Sequence, residues 1–293
     1  MVLLGLLLLL AACERRGYEI SASGVAAYVW DNNPMHFGGI VRRDVPVADP
    51  TTFVQLSANP AFGRDTRHAF YEAEIIAGAN PASFRPLGDS LYSTDDESVF
   101  FKAQRIPAAD LASFRALADD YAVDAHNTYL RGDVVPGARG VLTKIRNNGY
   151  LRDEANQIFY RSCYGCQIKQ IDACDGATFD AGVFLREPEA WDRLCVYADA
   201  QRLPLTDRAS YRYLGDHWSK DKGGVYYFNQ RIDAADPATF GLVRSNNDNV
   251  VLGSDASGRC WFGTSPAQVS CSADAKPYTD PDVSPASVYA PRR

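Results

Sequence analysis

A five-residue pattern recurs along this chain at a nearly constant interval, and no other feature limits the possible fold so strongly. It appears as Asp49-Pro50-Thr51-Thr52-Phe53, Asn80-Pro81-Ala82-Ser83-Phe84, Asp110-Leu111-Ala112-Ser113-Phe114, Asp175-Gly176-Ala177-Thr178-Phe179, Asp207-Arg208-Ala209-Ser210-Tyr211 and Asp236-Pro237-Ala238-Thr239-Phe240. The first residues lie 31, 30, 65, 32 and 29 positions apart. The interval of 65 is close to twice the others, so an eroded copy is expected near Gly137 to Leu142. A period of about thirty residues marks one supersecondary unit that buries its apolar face only against its neighbours.

Each copy has the chemistry of a helix start. Asp or Asn caps, Pro fits the first helical position, and Ser or Thr stands where a backbone N–H meets the cap. The aromatic that closes the turn points inward and pins it. Upstream of each copy, aromatic and β-branched runs flank a polar turn, clearest in Trp218-Ser219-Lys220-Asp221-Lys222-Gly223-Gly224-Val225-Tyr226-Tyr227 and repeated in outline from Tyr92 to Phe101 and from Tyr150 to Tyr160. This is the pattern of a β-hairpin. The expected fold is therefore mostly β, an array of about seven hairpin-plus-short-helical-turn repeats, either open like a solenoid or closed into a ring.

The expected units lie near 18–56, 57–87, 88–117, 118–146, 147–182, 183–214 and 215–243, with a terminal unit at 244–271 that has lost its helical turn. Beyond Cys271, four prolines interrupt a polar stretch, and 272–293 reads as a disordered tail.

The first residues carry a different message. An uncharged apolar run from Val2 to Leu10 is too short to span a bilayer and reads as the core of a secretory signal. Leu10-Ala11-Ala12-Cys13 resembles a bacterial lipobox, so 1–12 is expected to be a lipoprotein signal peptide and Cys13 the lipidated mature N-terminus. No Lys or Arg precedes the run, so the true translation start is expected a few codons upstream. Six further cysteines, Cys163, Cys166, Cys174, Cys195, Cys260 and Cys271, fit disulfides in an oxidising compartment. Cys260 with Cys271 is the simplest pair, while the four between 163 and 195 allow three connectivities. A net charge of −6 lacks the clustered Lys and Arg that nucleic acid requires.

From Lys220 to Tyr227, and onward through Ile232 and Ala235-Asp236-Pro237-Ala238-Thr239-Phe240, the chain resembles the DKNYY family of bacterial envelope repeat proteins. That family shows Asp-Lys-Asn, a spacer and a Tyr-Tyr pair, then an isoleucine and an Ala-Asp-Pro-x-Thr-Phe element. Gly223 replaces the asparagine. The resemblance is strong over 213–243 and weaker but regular elsewhere, and it implies an envelope protein of unknown function with no catalytic residues to carry over.

Candidate chemistry is sparse. Ser219-x-x-Lys222 matches the SxxK pattern of penicillin-binding enzymes, but it falls inside a hairpin turn. Cys163-Tyr164-Gly165-Cys166 has the spacing of a redox dithiol or half a zinc site, but structural disulfides fit better. His36, His68, His126 and His217 are scattered among units without ligand spacing. Asp95-Asp96-Glu97 and Asn246-Asn247-Asp248-Asn249 read as polar turns rather than calcium loops. The expectation is a non-enzymatic, membrane-tethered scaffold of the cell envelope that needs no cofactor or metal and binds a protein partner. A glycan- or peptidoglycan-binding module is the alternative and an envelope enzyme a distant third.

Overall fold

The computed structural model describes residues 16–21, 26–31, 39–45, 48–146, 149–161, 167–182, 188–244, 251–266, 276–281 and 283. Cys13, His36, Cys163, Cys166, 246–249 and Cys271 lie outside them. The chain divides into two compact units, Met1–Val135 and Pro136–Arg293. Each contains four small antiparallel sheets in chain order, so the protein is mostly β and repetitive, as the sequence pattern requires.

Six sheets share one plan, a meander of four strands whose two central members form the hairpin seen in the sequence. In the third sheet, Tyr92–Thr94 pairs with Val99–Phe101, and these are flanked by Arg85–Pro86 and Gln104–Arg105. The fourth repeats this with Tyr121–Val123 against Thr128–Leu130, and the seventh with Trp218–Asp221 against Gly224–Tyr227. The outer strands are mostly two residues long and exposed, which leaves little free edge for unwanted pairing. The first sheet has three strands and the eighth has five.

Each signature forms the turn between one sheet and the next. Two of these turns, Gly176–Thr178 and Arg208–Ser210, close as 3-10 helices, and the others remain simple turns. The cap residue works as the sequence suggests: Asp49, Asn80, Asp110, Asp207 and Asp236 each accept the backbone N–H two residues on, at 3.0–3.2 Å. Asp175 makes no such bond and faces Arg193 instead, at 3.2 Å.

The closing aromatics occupy equivalent places. Phe53 packs on Tyr18 and Phe70, Phe84 on Phe62 and Phe100, Phe114 on Tyr92 and Tyr129, Phe179 on Tyr150 and Tyr197, and Phe240 on Trp218 and Trp261. Each of these five closers touches one ring from the sheet before it and one from the sheet after it, and the sixth, Tyr211, is buried in one cluster with Trp191 and Tyr226. Centroid separations of 4.8–6.2 Å with tilted planes are the favourable geometry for such stacks. The core is thus a file of rings within each unit, and a lone hairpin would leave those rings in water.

The C-terminal stretch corrects one expectation. Within the segment read as a disordered tail, Lys276–Tyr278 is a strand that pairs with Gly241–Arg244 as the fifth strand of the last sheet. Its polar, proline-interrupted composition hid a specific anchor, for the Arg244 guanidinium lies 4.2 Å from the Tyr278 ring centre. Pro277 is tolerated because an edge strand need not donate at every position.

Candidate functional site

The residue that recurs most faithfully in the structure is an aspartate at the head of each hairpin turn: Asp65, Asp95, Asp124, Asp153, Asp192, Asp221 and Asp255. Asp124 is half-buried and the other six are buried. One carboxylate oxygen accepts backbone N–H groups from the aspartate's own turn at 2.6–2.9 Å. The other accepts the N–H of the first signature residue at 2.8–3.0 Å. A single side chain therefore shapes the hairpin and fastens it to the preceding turn.

A second tie runs the other way. The hydroxyl of Thr52, Ser83, Ser113, Thr178, Ser210 or Thr239 accepts the N–H of the residue after the clasp aspartate, at 2.8–3.4 Å. At the eroded junction no such hydroxyl exists. There Glu154 takes over, accepting Val141 N–H at 3.2 Å while its own N–H reaches Arg139 O at 3.1 Å. The eroded copy is real, and it ends on buried Leu142 instead of an aromatic.

Electrostatics follow from these bonds. Burial of Asp65, Asp124, Asp221 and Asp255 works to raise their pKa, but the N–H and hydroxyl groups aimed at the carboxylate outweigh it and hold each below the usual carboxylate range. In three repeats a tyrosine hydroxyl joins the clasp: Tyr129 to Asp124 at 2.6 Å, Tyr197 to Asp192 at 2.5 Å and Tyr226 to Asp221 at 3.4 Å. Burial first, and the adjacent carboxylate second, push Tyr129 and Tyr197 well above a normal phenol.

This clasp explains the sequence around 221. Asp221 is the clasp, Lys222 is in the turn with Nζ 3.2 Å from Asp207, Tyr226 is the buried ring, and Tyr227 packs on Trp218. A side chain at Gly223 would collide with Thr206, whose hydroxyl also bonds Asp221, so the asparagine expected there has no room. Sequence reading noted this segment but missed the aspartate's recurrence. It was available: counting back five residues from the inner ring finds it before Phe70, Phe100, Tyr129, Tyr197 and Tyr226, and counting six finds it before Phe159 and Trp261.

The other candidates do not converge on one place. Ser219 is buried in a strand opposite Tyr226 and Lys222 stands in the turn, so the helical turn that SxxK chemistry uses is not formed. His68 lies 3.8 Å from Asp65, His126 is exposed, and His217 stacks on Phe228 at 4.0 Å, with burial lowering its pKa. In the turn at 95–97, Asp95 is the buried clasp, while Asp96 accepts from Ser83 and Asn80. Cys174 and Cys195 form a disulfide, which removes the connectivities in which either pairs elsewhere, and Cys260 is also disulfide-bonded. Among the described residues the one cluster of three possible metal ligands is Cys174, Asp192 and Cys195, and its two sulfurs are bonded to each other.

Cys174 and Cys195 bridge the same turn-to-hairpin junction that Asp192 fastens through the N–H groups of Asp175 and Cys195. The disulfide is a covalent copy of the clasp. No curated protein and no solved structure matches the chain. Residues 28–163 and 92–258, which together take in all seven clasps, match the DKNYY family, and the chain belongs to it.

Proposed function

We propose that this protein is a non-enzymatic repeat scaffold of the bacterial cell envelope, tethered to a membrane through lipidated Cys13, that presents the edges of its sheets to a protein partner. The observation that carries this reading is a division of labour within the repeat. The recurring polar side chains are consumed in holding turn to hairpin, whereas the last strand of five sheets is exposed and lies outside that clasp: Glu74–Ile75, Gln104–Arg105, Asp133–Val134, Gln201–Arg202 and Gln230–Arg231, three of which repeat the same Gln-Arg pair. A regular frame that repeats an exposed edge along its length suits recognition of an extended partner. Bonded cysteines are consistent with export. No helix among the described residues is long and apolar enough to cross a membrane.

Photo-crosslinkers placed in living cells at Arg105 and Val134 are expected to capture one and the same protein. Different, non-reproducible captures at the two positions would sink the scaffold reading. The tether has its own test, since Cys13→Ala and globomycin should each abolish membrane association. Wild-type protein recovered in the soluble fraction contradicts the tether.

A glycan ligand is the second reading. It is favoured by a groove in the second unit whose lining mixes apolar groups with charges of both signs. Retention on purified peptidoglycan sacculi is the expected outcome there.

A further inference from the structure

The fifth repeat is the irregular one. Its signature has lost both cap and aromatic, and the next begins 36 residues later, where the other intervals are 29–32. Its first strand, Thr143–Ile145, is three residues long where the corresponding strands of the second to fourth sheets have two. Between this sheet and the sixth lies a groove of about 740 Å³, a volume that suits an organic ligand of several rings.

We infer that this groove is an oligosaccharide-binding site. The inference rests on the glycan reading rather than on the scaffold reading, and it assigns that ligand a location. Val141 and Ala177 give the groove its accessible apolar surface, with Phe179, Trp191 and Ile145 buried behind them, while Lys144, Arg193, Glu154 and Asp180 stand around it. Three cations, Lys144, Arg152 and Arg193, nearly balance four anions, Asp153, Glu154, Asp180 and Asp192, so the groove has no strong field of one sign to select a polyanion or a polycation. A sugar ring matches such a lining: its C–H faces pack on apolar surface, and its hydroxyls both donate to carboxylates and accept from guanidinium and ammonium groups.

The walls are also held before any ligand arrives. Arg152 donates to Gly176 O at 3.0 Å and to Phe179 O, which joins the fifth sheet to the next signature. Arg146 binds Asp180 through both carboxylate oxygens at 3.0–3.1 Å and lies 5.8 Å from the Trp191 ring centre. Cys174–Cys195 ties that signature to the hairpin carrying Trp191. Preorganisation of this kind lowers the entropy lost on binding.

The test uses full-length protein, purified sacculi and the soluble tetramer of N-acetylglucosamine, with affinity measured by calorimetry. Ala177 is exposed on the groove wall, and Ala177→Trp should fill the space, lower affinity for the tetramer at least about tenfold and abolish retention on sacculi at an unchanged melting temperature. Ala112 occupies the same repeat position in another signature, and Ala112→Trp should bind as wild type does. Lys144→Ala, which leaves the fold's core untouched, should weaken binding several-fold. If wild type is retained and Ala177→Trp and Lys144→Ala bind equally well, the groove is wrong while the glycan reading survives. If Ala112→Trp loses as much as Ala177→Trp, the effect is a general one and the groove is again wrong. Failure of wild type to bind either probe overturns both.

Discussion

At Gly63 and Gly253 a Cβ would collide with the rings of Phe53 and Phe240, which lie directly on the strand backbone. Both glycines stand two residues before a clasp aspartate, and the same position holds Ser93, Ala122, Ala190 and Ser219, all small, in the other repeats with an aromatic closer. In the eroded repeat the closer shrinks to Leu142 and this position grows to Leu151. Gly63→Val is expected to cost about 1–3 kcal/mol by overpacking. Phe53→Leu should relieve part of that loss, giving a coupling of about 1 kcal/mol in a double-mutant cycle read by urea denaturation. Strictly additive effects would show that ring and glycine do not share one space.

At the scale of the element, hairpin and turn are joined by the hydrogen bonds of all seven clasps and, at Cys174–Cys195, by a covalent bond as well. Removing the Cys174–Cys195 link, which closes a separation of 21 residues, should cost about 3 kcal/mol by freeing the unfolded chain. The Cys174→Ser, Cys195→Ser double variant should still fold, because Asp192 keeps its bonds to Asp175, Leu194 and Cys195. A thermal melt with no cooperative transition for that variant would mean that the clasp is insufficient at this junction. Hairpins and signatures were legible in the sequence because strand alternation and cap chemistry are local. The short outer strands were not, since two residues carry no period and acquire their conformation only by pairing with a neighbour.

Over the whole molecule four of the clasps share one titration behaviour. Asp65, Asp124, Asp221 and Asp255 have folded pKa values below the unfolded value of about 3.9, so the stability they contribute is complete above about pH 5 and disappears as pH falls through the folded values. Melting temperature should therefore decline only slightly between about pH 7 and 5, as unfolded His217 takes up its proton more readily than the half-buried folded ring, and drop steeply below about 4. Asp124→Asn and Asp221→Asn should each be less stable at neutral pH by about 1–3 kcal/mol, with a shallower acid limb. An acid limb unchanged in both variants would assign acid sensitivity to other groups. The C-terminal strand belongs to this scale too: nothing in Lys276-Pro277-Tyr278 alone marks a strand, and it becomes one by meeting the open edge at Gly241–Arg244.

The amino-acid order by itself determined the hairpins, the capped turns and the inward-facing closers, because each depends on neighbours within about ten residues, and the period and the family, because both are repetition written in the sequence itself. Tertiary structure decided which polar groups leave water. That an aspartate in a hydrophilic turn is buried depends on N–H groups supplied from fourteen to nineteen positions away. Tertiary structure likewise selected one cysteine pairing and opened a groove at the irregular repeat, since both require segments brought together by packing rather than by sequence proximity.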